Sequence, residues 1–144
     1  MSPPDMVGLA EKETYHKKLL DESKAMVEDG RGGDMLTQKI WDWYYLSANT
    51  YLNLNSRDYP VDIFNTYDPD KTSLLSEIKI PVFAFLGEKD NAVIIPQKEA
   101  LEIIKRKAAN APIFDIDIIA RAAHFYFGKE KEMADKIINW LGSI

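Results

Sequence analysis

The second half of the chain alternates two apolar periodicities, and this constrains its fold more than any other feature. Ile80-Pro81-Val82-Phe83-Ala84-Phe85-Leu86 is a continuous apolar run ended by Gly87. Such a run suits a strand covered on both faces, as in a parallel sheet, and its proline stands near the start, where a missing N–H does least harm. Pro96 then opens a helix whose inner stripe is Ala100, Leu101, Ile103, Ile104 and Ala108, closed by Asn110 and Pro112. From Ile113 to Ile119 the residues alternate, with Phe114, Ile116 and Ile118 on one side and Asp115 and Asp117 on the other. This predicts a strand near a sheet edge, its two aspartates accounted for by exposure to solvent. Met133, Ile137, Trp140 and Leu141 mark a closing amphipathic helix. Strand–helix–strand–helix is a βαβα unit, so a short parallel sheet with a right-handed crossover is expected.

Residues 1–70 are patterned differently. Leu9, His16, Leu19, Leu20, Met26 and Val27 recur at helical spacing and predict a helix over 9–28. It stops at Gly30-Arg31-Gly32-Gly33, a turn signal. The sharper reading of those glycines as a phosphate-binding loop lacks the strand before it and the Lys-Ser/Thr after it. A second helix is predicted over 35–54, capped by Asp34 or Thr37, with Trp41, Trp43, Tyr44, Tyr45 and Tyr51 spread over more than one face. Packing in a core accounts for these aromatics, and so does lining a pocket. The residues from Asn55 to Pro69 favour loop, and Asp70 is expected to cap a helical turn over 71–77. A calcium loop beginning at Asp68 fails, because Ser73 and Lys79 stand where that pattern needs glycine and glutamate.

Composition narrows the function. With 144 residues, 46% hydrophobic and 28% charged, the chain suits one domain, 1–144, comprising a helical region (1–70) and the βαβα region (71–144). A formal charge of −5 argues against nucleic acid as a partner, which needs clustered Lys and Arg. The basic run Lys105-Arg106-Lys107 ends a predicted helix, where cations complement the helix dipole. No apolar stretch is long enough to cross a membrane, and no membrane partner is expected. The absence of cysteine excludes disulfides, thiolate catalysis and Cys-ligated zinc. The first residues lack a signal-peptide pattern, so a cytoplasmic location is expected.

In parallel α/β sheets, reactive groups collect in the loops after the carboxyl ends of strands. Two such loops occur: Gly87-Glu88-Lys89-Asp90-Asn91 and Arg121-Ala122-Ala123-His124-Phe125. A parallel pair places both on one edge, so Asp90 and His124 can meet. An aspartate on one imidazole nitrogen fixes the tautomer and leaves the other nitrogen to take a proton from a nucleophile. His16, the remaining histidine, is expected to be partly buried or on the surface. A zinc site would need both histidines and added carboxylates.

Residues 74–141 resemble the C-terminal end of the α/β-hydrolase fold. The Ile80-Pro81-Val82 entry with Gly87-Glu88-Lys89-Asp90 matches that family's surroundings of the triad acid, and Ala123-His124-Phe125 followed by Gly128-Lys129-Glu130 resembles its histidine loop. Ala122 departs from the glycine common there. The resemblance implies Asp90 as catalytic acid, His124 as general base, no cofactor, and hydrolysis or transfer of an ester, thioester or amide. Ser2-Pro3-Pro4-Asp5-Met6-Val7-Gly8 resembles the segment leaving an earlier sheet strand, and the helices after it sit where many members insert a lid.

The family's nucleophile occupies a Gly-x-Ser-x-Gly elbow upstream of acid and base, and none of Ser2, Ser23, Ser47, Ser56, Ser73, Ser76 or Ser143 has that setting. The resemblance therefore implies a truncated α/β-hydrolase-like chain, lacking elbow and oxyanion strand and inactive alone. A two-stranded sheet is marginal by itself and leaves the 80–86 strand with a bare apolar edge. The expected partner is a second copy, in a homodimer joined through that edge, or a separate N-terminal half carrying the nucleophile. The competing class is a non-enzymatic, self-associating module derived from a split or shortened hydrolase.

Overall fold

A computed structural model describes residues 5–57, 64–66 and 68–144. Ser2, Pro3 and Pro4, and residues 58–63 and 67 of the loop expected from Asn55 to Pro69, lie outside the described residues. The chain is mixed α/β and divides into two compact units, one of residues 6–57 and one of Asp5 with residues 64–144. No helix among the described residues is long and apolar enough to cross a membrane.

The first unit is helical: α1 (Met6–Lys12), α2 (Thr14–Glu28) and α3 (Ala48–Asn55). The single helix expected over 9–28 breaks at Glu13, whose extended backbone starts α2. Leu19, Leu20 and Met26 of α2 pack with Ala10, Leu36, Ile40, Ala48, Tyr51 and Leu52 in one core. Gly30 ends α2 with φ +76°, and its N–H donates to Val27 O while that of Arg31 donates to Met26 O. This pair of bonds needs a left-handed residue after the helix, which glycine supplies without strain. The Gly30–Gly33 stretch is thus a helix stop.

The helix expected over 35–54 is present only from Ala48, capped by Ser47, whose hydroxyl accepts from Thr50 N. Asp34 and Thr37 do not cap it. Residues 35–47 form an irregular hairpin instead, with bridges Met35–Ser47 and Ile40–Tyr44. Trp41 and Asp42 at its tip have φ of 49° and 60°. Mirror-image turns of this kind close antiparallel ladders, and the aromatic residues here have only weak helix propensity. Leu36 and Ile40 are buried, whereas Trp43, Tyr44 and Tyr45 are exposed. Thr37 gives both its N–H and its hydroxyl to the Glu22 carboxylate.

The second unit is a three-layer α/β/α arrangement. Strands β1 (Val82–Gly87) and β2 (Phe114–Ile119) pair in parallel, from Val82 opposite Phe114 to Gly87 opposite Ile119. Helix α4 (Gln97–Lys107) covers one face, where Ala100, Leu101 and Ile104 meet Val82, Ala84, Leu86 and Phe114. Helix α5 (Glu130–Leu141) covers the other, with Met133 and Ile137 against Phe85, Ile119 and Tyr126. The aspartates of β2 point into this second layer. Trp140 Nε1 donates to Asp115 at 2.8 Å, and Lys136 pairs with Asp117. Asp115 is exposed, as expected, and Asp117 is half-buried; both also dock a helix.

Two further local expectations change. The turn before β1 is a 3₁₀ helix, Leu74–Glu77, capped by Ser73 and not by Asp70. Lys107 does more than complement a dipole. It is buried, and its ammonium is ringed by the carbonyls of Asn65, Asp68 and Lys71 and by the Asn65 side chain.

Candidate active site

Both strands deliver their following loops to one edge of the sheet, and hydrogen bonds staple the two loops together. Glu88 N donates to Ile119 O at 2.9 Å, Lys89 N to Ala122 O at 2.8 Å, and Arg121 N to the Glu88 carboxylate at 2.7 Å. Arg121 and Tyr126 take left-handed backbone angles, φ 58° and 54°, as the second loop turns back toward α5. Gly87 is where the two loops touch. A Cβ there would lie 2.4 Å from the Ala122 carbonyl oxygen.

On this frame Asp90 and His124 meet. His124 Nδ1 lies 3.1 Å from each oxygen of the Asp90 carboxylate. The Asp90 side chain is wholly buried and that of His124 is 17% exposed. An ionised carboxylate only accepts, so Nδ1 is the donor and Nε2 keeps its lone pair. Among the described residues Nε2 has no hydrogen-bond partner. The imidazole meets the edge of Phe125 at 5.4 Å between ring centroids, and Phe125 stacks on Phe127 at 5.9 Å. Both phenylalanines are exposed, which makes the surroundings of the imidazole apolar.

Asp90 is itself held. Its Oδ1 accepts the Ala92 N–H at 2.8 Å, its backbone N–H donates to Gly87 O at 3.0 Å, and its carbonyl accepts from Gln97 Nε2 at 2.9 Å. A further carboxylate supports the same loop. Asp5, fully buried, donates its N–H to Ala92 O at 2.5 Å and accepts the Thr66 hydroxyl at 2.7 Å. No sequence pattern singled out Asp5, Gln97 or Thr66, because all three act through the folded loop. Gly87 carried a signal as the end of a strand and the start of the acid-loop motif, but not as the point where the two loops touch.

The pair can hold and move a proton: Asp90 orients the imidazole and stabilises imidazolium, while Nε2 accepts. The serines fall elsewhere. Ser23 is buried and bonded to Leu19 O, Ser47 and Ser73 are helix caps, and Ser76 and Ser143 bond to nearby carbonyls. Among the described residues no hydroxyl hydrogen-bonds His124.

His16 has a different part. It is fully buried in the helical unit, against the expectation of a surface or partly buried residue. Its Nδ1 contacts Tyr51 Oη at 3.1 Å, and that hydroxyl donates to His16 O at 3.1 Å. The hydroxyl proton being used, Nδ1 is the donor. Burial pushes the imidazole below its ordinary value of 6.5, opposed in part by the charge of Glu13. Among the described residues no three metal-ligating side chains gather into a site.

No protein-family profile, curated protein or solved structure matches this chain.

Proposed function

We propose that the chain is the acid–base half of an α/β-hydrolase-like acyl-transfer enzyme, with Asp90 as acid and His124 as general base. The observation that carries this reading is the buried Asp90 carboxylate on His124 Nδ1, at the carboxyl edge of a parallel strand pair. The motifs around the two loops resemble that family. In the reaction, Nε2 takes the proton of a nucleophilic hydroxyl as its oxygen bonds to the acyl carbon of an ester, thioester or amide. Imidazolium then returns the proton to the leaving group, and water repeats the sequence to free the acid. The hydroxyl and the oxyanion donors come from outside this chain, so the isolated chain is inactive. In this reading residues 6–57 correspond in chain order to the segment that many α/β-hydrolases insert as a lid.

Intact-mass spectrometry after fluorophosphonate treatment tests the missing nucleophile. The chain and its His124→Ala variant should both stay unmodified. A single adduct that requires His124 would mean that a serine of this chain is activated and the half-enzyme reading is wrong.

A second reading rests on the edge of β1. Among the described residues β1 has one strand neighbour, and beside it lies a hollow of about 480 Å³ lined by Ile78, Lys79, Ile80, Pro81, Val82 and Phe83. Ile80 is 68% exposed. Bare apolar edges favour pairing with another strand, and a two-fold dimer would pair them antiparallel. This supports a self-associating module whose occupant is a second copy, or the complementary N-terminal half in the enzymatic reading. Light scattering at micromolar concentration should return a dimer; a clean monomer excludes the self-pairing arrangement.

A further inference from the structure

We propose that Asp5 is a positioning residue for the Asp90–His124 pair, acting through the backbone of Ala92. An aspartate just before a helix is ordinarily a cap. The partners of Asp5 in its own unit give it a second task. The Thr66 hydroxyl donates to its carboxylate at 2.7 Å, and both residues are closed off from solvent, at 1% and 0% exposure. So anchored, the Asp5 N–H donates to Ala92 O at 2.5 Å. The other side of Ala92 faces the site, its N–H donating to Asp90 Oδ1 at 2.8 Å. A chain of three hydrogen bonds thus runs from Thr66 through Asp5 and Ala92 to Asp90 Oδ1, one of the two oxygens beside His124 Nδ1.

The direction of dependence follows from burial. A hydrogen bond out of water is directional and has no solvent to replace it, so a displaced member moves its neighbour. Ala92 is buried, and Asp90 is 3% exposed. If the Asp5 carboxylate is lost, the Asp5 N–H still donates to Ala92 O but is no longer anchored by Thr66, and the Ala92 peptide no longer has a fixed position. The Asp90 carboxylate can then rotate off Nδ1. Gln97 and Gly87 fix only the backbone of Asp90. They do not set the rotation of its carboxylate.

The inference deepens the acyl-transfer reading, on which its catalytic meaning rests, but its test needs no substrate. Nitrogen-15 NMR of the imidazole reports the tautomer of His124 and the exchange of its Nδ1 proton with water. The full chain should show a protected Nδ1–H on His124. Asp5→Ala should speed its exchange about ten-fold, as expected for a weakened buried hydrogen bond, and move the tautomer away from Nδ1–H. Asp5→Asn, which still accepts from Thr66, should restore protection. Thr66→Val should reproduce the loss, and it carries the test alone if Asp5→Ala does not fold. Asn110→Ala removes an anchor elsewhere in the unit, the bond to Ser76 O, and should leave exchange unchanged. Unaltered protection in folded Asp5→Ala or Thr66→Val overturns the proposal while leaving the pair intact. Equal loss in Asn110→Ala also overturns it, because any destabilisation would then suffice. An unprotected Nδ1 in the unmodified chain overturns both the proposal and the functional reading.

Discussion

Gly87 and Ala122 approach so closely that a methyl group on Gly87 would lie 2.4 Å from the Ala122 carbonyl oxygen and 2.8 Å from its carbonyl carbon. Both atoms are backbone, so neither can swing aside as a side-chain tip would. The contact lies where β1 ends and the acid loop begins, and the Ala122 carbonyl also accepts from Lys89 N. Gly87→Ala therefore has to push the histidine loop away from the acid loop. We expect a cost of about 1–3 kcal/mol, as for overpacked sites, with loss of the protected His124 Nδ1–H. Urea denaturation and imidazole NMR measure the two effects. A stable variant that retains the protected proton would show that the loops can separate without disturbing the pair.

His16 makes the helical unit sensitive to acid. Its folded value lies below the ordinary 6.5 because burial disfavours the cation. Between the folded and unfolded values the unfolded chain binds more protons, so stability rises with pH there. The contribution of the neutral imidazole is complete above 6.5 and is lost as pH falls below it. His16→Leu removes the titrating group, while Tyr51 can still donate to the carbonyl at position 16. Amide exchange in α2 and α3 should accelerate between neutral pH and about pH 5 in the parent relative to this variant. Parallel pH profiles for the two would show that His16 is not the group responsible.

Lys107 holds Asn65, Asp68 and Lys71 against the end of α4. Its ammonium has three protons and four oxygen neighbours: the main-chain carbonyls of Asn65, Asp68 and Lys71 at 3.2, 2.7 and 2.9 Å, and the Asn65 side chain. Lys107→Met keeps the stem but leaves those acceptors without a cation. The expected loss is about 2–3 kcal/mol, since hydrogen bonds to charged groups are stronger than neutral ones and buried acceptors would go unpaired. Chemical denaturation checks the magnitude, and faster amide exchange at Asn65, Asp68 and Lys71 checks the location. A midpoint within error of the parent would mean the segment is held by other contacts.

The parts of this molecule that depend on local periodicity were legible in its residues. Both strands, α4 and α5 follow from apolar spacing, and the meeting of Asp90 with His124 follows from placing two loops on one parallel edge. What was not legible depends on partners distant in sequence. Alternation along β2 separates Asp115 and Asp117 from Ile116, but only the packed α5 shows that Trp140 and Lys136 await them. The aromatic residues between Met35 and Tyr45 carry no single stripe, and local backbone pairing with Leu36 and Ile40 buried wins over a helix. Ser73 displaced Asp70 as a cap because the helical turn starts later than composition suggested. Asp5 was legible only as one residue of the Ser2–Gly8 segment, with nothing to mark its bonds to Thr66 and Ala92.

The docking of α5 separates packing from charge. None of its residues is fully buried, and it is held on the sheet by two kinds of contact. Trp140 stacks on Phe83, with centroids 5.5 Å apart and planes 18° from parallel, and donates to Asp115. Lys136 pairs with Asp117, both about a third exposed. Half-exposed ion pairs contribute little, because water competes for both charges and two side chains lose freedom. A stacked indole removes far more apolar area from water. Trp140→Ala should therefore cost about 2–3 kcal/mol, whereas Lys136→Met should cost under about 1 kcal/mol. Asp115→Ala should fall between them, since it removes the hydrogen bond and keeps the stack. Urea midpoints for the three variants, with amide exchange along 130–141, give the order directly. If Lys136→Met proves the costliest, the acidic face of β2 is held mainly by charge, and the stacked pair is secondary.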